Sequence, residues 1–397
     1  MHKCKITNKK IPEVINFGKM PIANGFLKKK DFKKEFFYNM SVSFSEEMSL
    51  LQLNEHPKPT AMFNKNYPFF TSSSEFMKKH FERYAIWVNR KYLKNNGKII
   101  EIGSNDGTFL KNFLNSDIDH IGFEPSKNVS QIAKKNKINS INDFFSIKNI
   151  GKAESFIGKT DVISGANVVC HIPNLIEFIK TCDLFLNKNG KIIFEEPYLG
   201  SMYSKTSYDQ IYDEHIFIFS ISSIYKIFKE FDFELIDAIP QITHGGSMRY
   251  VIERKKNKTN NKIKSLIERE KIKNINSLKG AIDFGVKCKL SKEKLINNLY
   301  KIKKRGKKIC GYGATSKSTT ILNYCNIGSD VIECIFDTTQ NKIGKYSPGM
   351  HIPIINYKKF SKEFFDYSFL FAWNHKKEIE KKESKYLKKG GKWITHL

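Results

Sequence analysis

The stretch IIEIGSNDGTFL, Ile99–Leu110, decides how this chain is folded. The apolar run Lys98–Ile102 reads as a buried strand, Gly103 and Gly107 bracket a turn, and the residues that follow open a helix. Glycine at those two places lets the backbone turn sharply and come close to a ligand. Upstream, Phe76, Phe81, Tyr84, Trp87, Val88 and Tyr92 recur at helical spacing. Downstream, His120–Glu124, Asp161–Asn167 and Lys191–Glu196 are further strand candidates, with an amphipathic stretch, Pro173–Leu186, before the last. Strand and helix alternating in this way build a doubly wound sheet. The closing pair, Phe231–Ile239 and Ser247–Glu253, leaves no room for a crossover helix and should be antiparallel.

Three regions follow. Residues 1–75 are turn-rich, with Pro12, Pro21, Pro57, Pro59 and Pro68 and little sustained periodicity. Residues 76–254 hold the alternating pattern. In 255–397 a Lys- and Asn-rich bridge, KKNKTNNKIK, leads into a helical stretch to about Lys304. A second α/β unit then opens at KKICGYGA and continues through DVIECIFD, FDYSFLFAW and KWITHL. The expected fold is α/β, with a central Rossmann-like domain between a small N-terminal region and this second α/β domain.

The turn after the first strand lacks the GxGxxG spacing that a dinucleotide pyrophosphate favours, because Asn105 stands where the middle glycine belongs. Glu124 ends the second strand, where an acid accepts hydrogen bonds from both ribose hydroxyls of an adenosine. With Glu101 before the turn and Glu124 beyond it, the pattern favours S-adenosylmethionine (SAM) over NAD. The second α/β unit has its own turn, GYGATSK, with Asp337 ending the next strand, and Lys317 near a helix N-terminus suits a phosphate.

A second stretch, YDQIYDEHIFIFS (Tyr208–Ser220), packs Asp209, Tyr212, Asp213, Glu214 and His215 together just after the apolar run IIFEEPYL. A fold needs no such density of ionisable groups, whereas proton-transfer chemistry does. Composition narrows the rest. The net charge of +28 invites a nucleic-acid partner, but the lysines fall in short runs over the whole chain, such as Lys28–Lys30, Lys134–Lys137 and Lys376–Lys382. A diphosphate-bearing small molecule or an anionic membrane face suits such a surface equally well. The seven cysteines are scattered and never spaced CxxC, as expected of a reducing cytoplasm rather than a disulfide framework. No apolar run is long enough to span a bilayer, and the N-terminus lacks the apolar core of a signal peptide.

Over nearly its whole length the chain resembles the sugar C-methyltransferases, SAM-dependent enzymes that methylate C3 of nucleotide-linked 4-keto deoxysugars. The resemblance rests on PIANGFL (Pro21–Leu27), YPFFTSSSEF (Tyr67–Phe76), EIGSNDGTFL, GFEPS, ANVVCHIPNL (Ala166–Leu175), FEEPYL, YDQIYDEH, HGGSMR (His244–Arg249), GYGATSK, PGMHIPI and WNHKKEI, in this order. It implies a class I methyltransferase domain at 76–254, a substrate-binding region at 1–75 and a nucleotide-sugar-binding domain at 255–397. Glu101, Gly103, Asn105, Gly107, Glu124 and Asn167 would bind SAM. The histidine of the Tyr-x-Glu-His motif, here His215, would be the base, with Tyr212, Glu214, His171 and Tyr67 lining the pocket. Lys317 and Asn323 would hold the diphosphate of the substrate and Arg249 its sugar or phosphate. His244 is expected to serve the turn between the antiparallel strands.

The chain departs from the family at a zinc site normally built from two Cys-x-x-Cys pairs, whose positions here hold Cys4, Thr7, Ser45 and Met48. One thiol cannot build a tetrahedral zinc centre, so zinc is not expected, and packing around Phe36, Phe37, Phe44, Leu50 and Leu51 should replace it. Phe69 and Ile218 also differ from the usual aromatics. A carbon beside a ketone must lose its proton before methylation, and the enolate oxygen then needs a donor, which Tyr212, Tyr67 or His171 could supply. Glu214 could orient His215. The alternatives are O- or N-methylation of a nucleotide sugar, an RNA-binding protein or RNA methyltransferase, and a non-catalytic binding protein. The expected partner is a nucleotide-diphosphate sugar, without nucleic acid or membrane insertion; the sugar, the base and the oligomeric state are open.

Overall fold

A computed structural model describes residues 2–256 and 260–397, so part of the Lys/Asn-rich bridge, 257–259, lies outside the described residues. Seven strands make the central sheet: β1 (Lys98–Ile102), β2 (Asp119–Phe123), β3 (Ser140–Ile141), β4 (Thr160–Ala166), β5 (Leu186–Pro197), β6 (Phe233–Gln241) and β7 (Ser247–Arg254). Their order is β6-β7-β5-β4-β1-β2-β3. β1 runs parallel to β2 and β4, while β7 is antiparallel to both β5 and β6. The strand order therefore reverses at β1, and the turn after it opens at the switch point where such sheets take ligands. Glu124 and Asn167 stand one residue past the ends of β2 and β4, released from the ladder.

Both faces of this sheet are covered. Helix Glu75–Tyr92 packs Phe81, Tyr84 and Val88 on Ile99, Val162 and Ile193. Helix Leu175–Phe185 packs Phe178 and Phe185 with Ile100 and Ile163 on the other.

The N-terminal region carries more regular structure than its sequence suggests. Glu13–Pro21, Phe37–Ser45 and Leu50–Leu53 form an antiparallel sheet, and Phe217–Ile218, two residues after His215, pairs on its edge. Strand Phe37–Ser45 is buried on both sides over most of its length, so it shows no alternation. Phe44, Leu50 and Leu51 are fully buried, but Phe36 and Phe37 are 53% and 42% exposed and take no part in replacing a metal.

The helical stretch after the bridge is broken. Helices Asn261–Ile272 and Leu278–Lys304 are separated by a turn in which Asn274 takes φ +54° and the Ser277 hydroxyl caps the second helix. Beyond it, five parallel strands are ordered 354–356, 335–337, 309–312, 367–370, 392–394, so this sheet also reverses at its first strand. Phe17 and Val42 of the N-terminal sheet, Phe284 and Cys288 of the long helix, and Ile309 and Ile335 of the last sheet share one core. Leu199, Met202, Tyr208 and Ile211 of the central region join the same core, while Cys4, Ile11, Met48 and Leu50 of the N-terminal region pack into the core of the central sheet. No helix among the described residues is long and apolar enough to cross a membrane.

Candidate active site

One cavity of about 1240 Å³ is lined by all three regions. It exceeds the few hundred to about 1,000 Å³ of ordinary small-molecule pockets, which is room for two ligands. At one end lies the turn after β1. Gly103 takes φ +62°, and a Cβ there would stand 2.7 Å from the Val168 side chain, so only glycine fits. The Glu124 carboxylate accepts from the Asn105 N–H at 3.0 Å and the Ser126 N–H at 2.7 Å, tying the turn to the end of β2. Asn105 does more than stand in for glycine. Its side chain accepts from Thr71 N–H at 2.9 Å and Asp106 accepts from Ser72 N–H at 2.9 Å, which fasten the 69–72 segment over this end of the cavity. Burial, with Asp106 and Glu124 nearby, pushes the Glu101 carboxyl well above its usual range. Glu101 Oε2 and Asn167 Oδ1 are buried without partners and both residues line the cavity. Such orphaned acceptors suit a cationic ligand with an ammonium to donate.

The middle of the cavity is walled by Tyr67, His171, Tyr212 and Glu214. The segment that carries the last two runs directly into strand 217–218, which fixes its C-terminal end to the edge of the N-terminal sheet. His215 Nδ1 lies 2.7 Å from the Gln210 carbonyl and Nε2 lies 2.8 Å from the Tyr212 hydroxyl. Glu214 does not orient His215, contrary to the expectation from sequence. Its oxygens accept instead from Asn24 Nδ2 at 2.7 Å and from Tyr67 Oη at 3.2 Å. Burial raises the Glu214 carboxyl above its ordinary value, and burial with the neighbouring His171 holds His215 well below its own, so the imidazole is neutral. His171 is brought down to about 3 by burial and stacks between Phe63 and His215. Its Nε2 has no partner.

Cys170, His171 and His215 bring a thiol and two imidazoles within 4.8 Å. The two rings are nearly parallel, 19° apart at 5.3 Å, so their in-plane lone pairs do not converge on a point as a metal centre requires. Both His215 nitrogens are already bonded. These donors do not fit an ion.

Lys205, Lys317 and Lys342 also line the cavity, Lys342 within reach of the Glu214 carboxylate. Lys317, at the start of helix Ser316–Tyr324, reaches Asn374 Oδ1 at 3.3 Å and lies over the Trp373 ring, while Lys342 bonds the Ala314 carbonyl at 2.7 Å. Burial lowers the ammonium pKa of both Lys317 and Lys342. The Asp337 carboxylate accepts from the Ala314 N–H of the turn after the first strand of its sheet and from the Thr339 N–H, the same arrangement that Glu124 has in the central domain.

Two expected ligands of the substrate are elsewhere. Asn323 donates to the Thr319 and Pro348 carbonyls and sits tight against Gly349, a structural role away from the cavity wall. Arg249 is buried against Glu195 and under Tyr84 and Trp87, and its charge is consumed there. His244, at φ +53°, forms the expected turn and lines the cavity as well.

Three residues that line the cavity, Asn24, Lys205 and Lys342, and the buried Glu196 escaped sequence reasoning. Asn24 and Glu196 lie inside quoted motifs, PIANGFL and FEEPYL, but nothing local reveals their partners. Lys205 and Lys342 carry no local signal at all. Glu196 is buried beside the loop bearing His171, and its Oε1 accepts from Val168 and Val169 N–H groups. Burial pushes this carboxyl up to about 7. The folded protein therefore keeps a proton that the unfolded chain releases above its ordinary value near 4.5, and this group's contribution to stability falls as pH rises from there towards about 7. Glu196→Gln mimics the protonated form. Thermal melts between pH about 5 and 7.5 should be flatter for this variant than for the wild type; equal slopes would mean that Glu196 does not titrate in that window.

Three family models cover the chain in succession: a putative zinc binding domain over residues 4–63, a methyltransferase domain over 74–238 and a C-methyltransferase C-terminal domain over 242–397. The curated C-methyltransferase NovU of Streptomyces niveus is 25% identical over 391 residues, spanning 97% of this chain and 92% of that protein. The chain belongs to the SAM-dependent C-methyltransferases. Solved structures similar to this methyltransferase include a possible histamine N-methyltransferase from Thermotoga maritima, 18% identical over 46% of this chain and 92% of that one, with a TM-score of 0.36. A SAM-dependent methyltransferase from Clostridium acetobutylicum is 12% identical over 46% of this chain and 94% of that one, also with a TM-score of 0.36.

SAM is the cofactor, and the orphaned acceptors Glu101 and Asn167 with the Glu124 carboxylate suit it. Zinc does not fit the N-terminal module of this methyltransferase. Cys4 and Met48 are buried in one core with Ile11 and Leu50, and the Ser45 hydroxyl takes the Met48 N–H at 3.3 Å. A single thiol beside a thioether and two hydroxyls is no tetrahedral zinc set.

Proposed function

We propose that this methyltransferase acts on C3 of a nucleotide-linked 4-keto deoxysugar through an enolate. The observation that carries this reading is the single cavity that joins the turn after β1 to the buried Tyr212–His215 pair and to three lysines. SAM supplies an electrophilic methyl group and a sulfonium charge. Glu124 orients its ribose, and Glu101 and Asn167 receive its ammonium. His215 is the proton acceptor: a neutral, buried imidazole whose Nδ1–H is fixed by the Gln210 carbonyl. His171, with an unpartnered nitrogen, is the donor best placed to steady the enolate oxygen, because Tyr67 and Tyr212 already donate to Glu214 and His215. Lys342 adds positive charge beside Glu214. Lys317 and Lys205 suit the diphosphate, and Trp373 and Asn374 lie beside Lys317. Domain limits near residues 75 and 254 fit this division of labour, although strand 217–218 belongs to the N-terminal sheet.

An O- or N-methyltransferase would need no ketone and no proton acceptor of this kind. Incubation with 4-keto-6-deoxy nucleotide sugars in deuterated water separates the two. The wild type should incorporate deuterium at C3 and, with SAM, gain one methyl group, while His215→Ala should exchange at least ~100-fold more slowly. Methylation without any C3 exchange would overturn carbon methylation in favour of O- or N-transfer.

A further inference from the structure

We propose that Tyr212, not His215, is the group that meets the reacting carbon, and that His215 takes the proton through the tyrosine hydroxyl. This rests on the enolate reading above and deepens it. The tautomer is set by geometry. A carbonyl only accepts, so the 2.7 Å contact with Gln210 places the single imidazole hydrogen on Nδ1. Nε2 is then bare, and the Tyr212 hydroxyl 2.8 Å away must donate to it. The lone pairs of Tyr212 Oη are left for other partners. Tyr212 borders the cavity, whereas His215, 2% exposed, lies behind it with the two rings 4.0 Å apart. A substrate in the cavity therefore reaches the phenol oxygen before it reaches the imidazole.

The step balances. The C3–H bond breaks and its electron pair passes into the enolate, while the proton bonds to Tyr212 Oη. In the same movement the original Oη–H bond breaks and that proton bonds to Nε2 of His215. Tyrosine is neutral before and after, and the imidazolium is held by its Nδ1–H bond to the Gln210 carbonyl. Burial favours the neutral pair at rest, since it raises the phenol and lowers the imidazole. Tyr212 is thus a catalytic residue, and His215 acts through it.

The test is C3 deuterium exchange on a 4-keto nucleotide sugar with wild type, Tyr212→Phe, His215→Ala and the double variant, each checked for unchanged SAM affinity by calorimetry. A relay predicts that each single variant loses exchange at least ~100-fold and that the double loses no more, because the two act as one unit. Added imidazole should restore His215→Ala but not the double variant, a rescue that a merely structural histidine would not give. Tyr212→Phe retaining exchange within about tenfold of wild type, with His215→Ala inactive, would overturn the relay and leave His215 as a direct base. Nitrogen-15 NMR of the free wild type guards against variants that misfold: a protonated Nε2 with a bare Nδ1 would also overturn it. Wild type that exchanges no ketosugar sinks the enolate reading itself, a different failure.

Discussion

Arg249→Met is expected to destabilise the protein by about 3–5 kcal/mol, the cost of leaving a buried carboxylate without its cation. Arg249 on β7 faces Glu195 on β5 in register, with Nε at 2.7 Å from the carboxylate. The other carboxylate oxygen takes His80 Nε2 at 2.6 Å, and the guanidinium lies 4.0 Å over the Tyr84 ring. Burial alone would raise the Glu195 carboxyl, yet the His80 bond and the Arg249 charge bring it below its ordinary value. This group therefore adds stability above the carboxyl range that is lost as pH falls through it. Removing the arginine should lower the melting temperature by roughly 5 °C. Adding Glu195→Gln to Arg249→Met should recover part of that loss, since the unpaired charge goes with it. A variant with an unchanged melting temperature and a raised KM for the sugar nucleotide would return Arg249 to the substrate.

Glu124→Ala is expected to weaken SAM binding about 100-fold, the loss of two hydrogen bonds to a charged acceptor at roughly 1.5 kcal/mol each. The side chain also ties Asn105 to Ser126 across the mouth of the site, so its removal loosens the turn that the cofactor contacts. Glu124→Gln should fare little better, because an amide NH₂ must then face one of two backbone N–H groups. Calorimetric titration with SAM decides the matter. Affinity within about threefold of wild type would place the ribose on other residues, since a good hydrogen bond to a charged group is worth more than that.

Much of the site was legible because it is local. The strand and glycine turn at Ile99–Gly107 and the acid at the end of the next strand need only short-range geometry and periodicity, whereas the helix expected after the turn is only a short 3-10 helix, Leu110–Phe113. The crowding of titratable groups in Tyr208–His215 is likewise visible along the chain, and the Tyr212–His215 bond spans three residues. The poor zinc set was readable from residue types alone.

Partners far apart in sequence were not legible. Glu214 reaches Asn24 and Tyr67 across 190 and 147 residues, and Arg249 meets Glu195 only because β7 returns antiparallel beside β5. The same side chain is a substrate ligand or a core ion pair according to what the fold brings beside it. Asn323 was drawn away from the cavity by the Pro348–Gly349 turn, and Lys342 was drawn to it by a loop with no motif. By itself the sequence determined the chemistry on offer: a nucleoside-binding switch point, a Tyr–His pair and a dispersed supply of lysine. Only the tertiary structure decided which of these groups are spent on one another and which face the cavity, because hydrogen bonds and buried charges are satisfied by neighbours in space, whatever their separation along the chain.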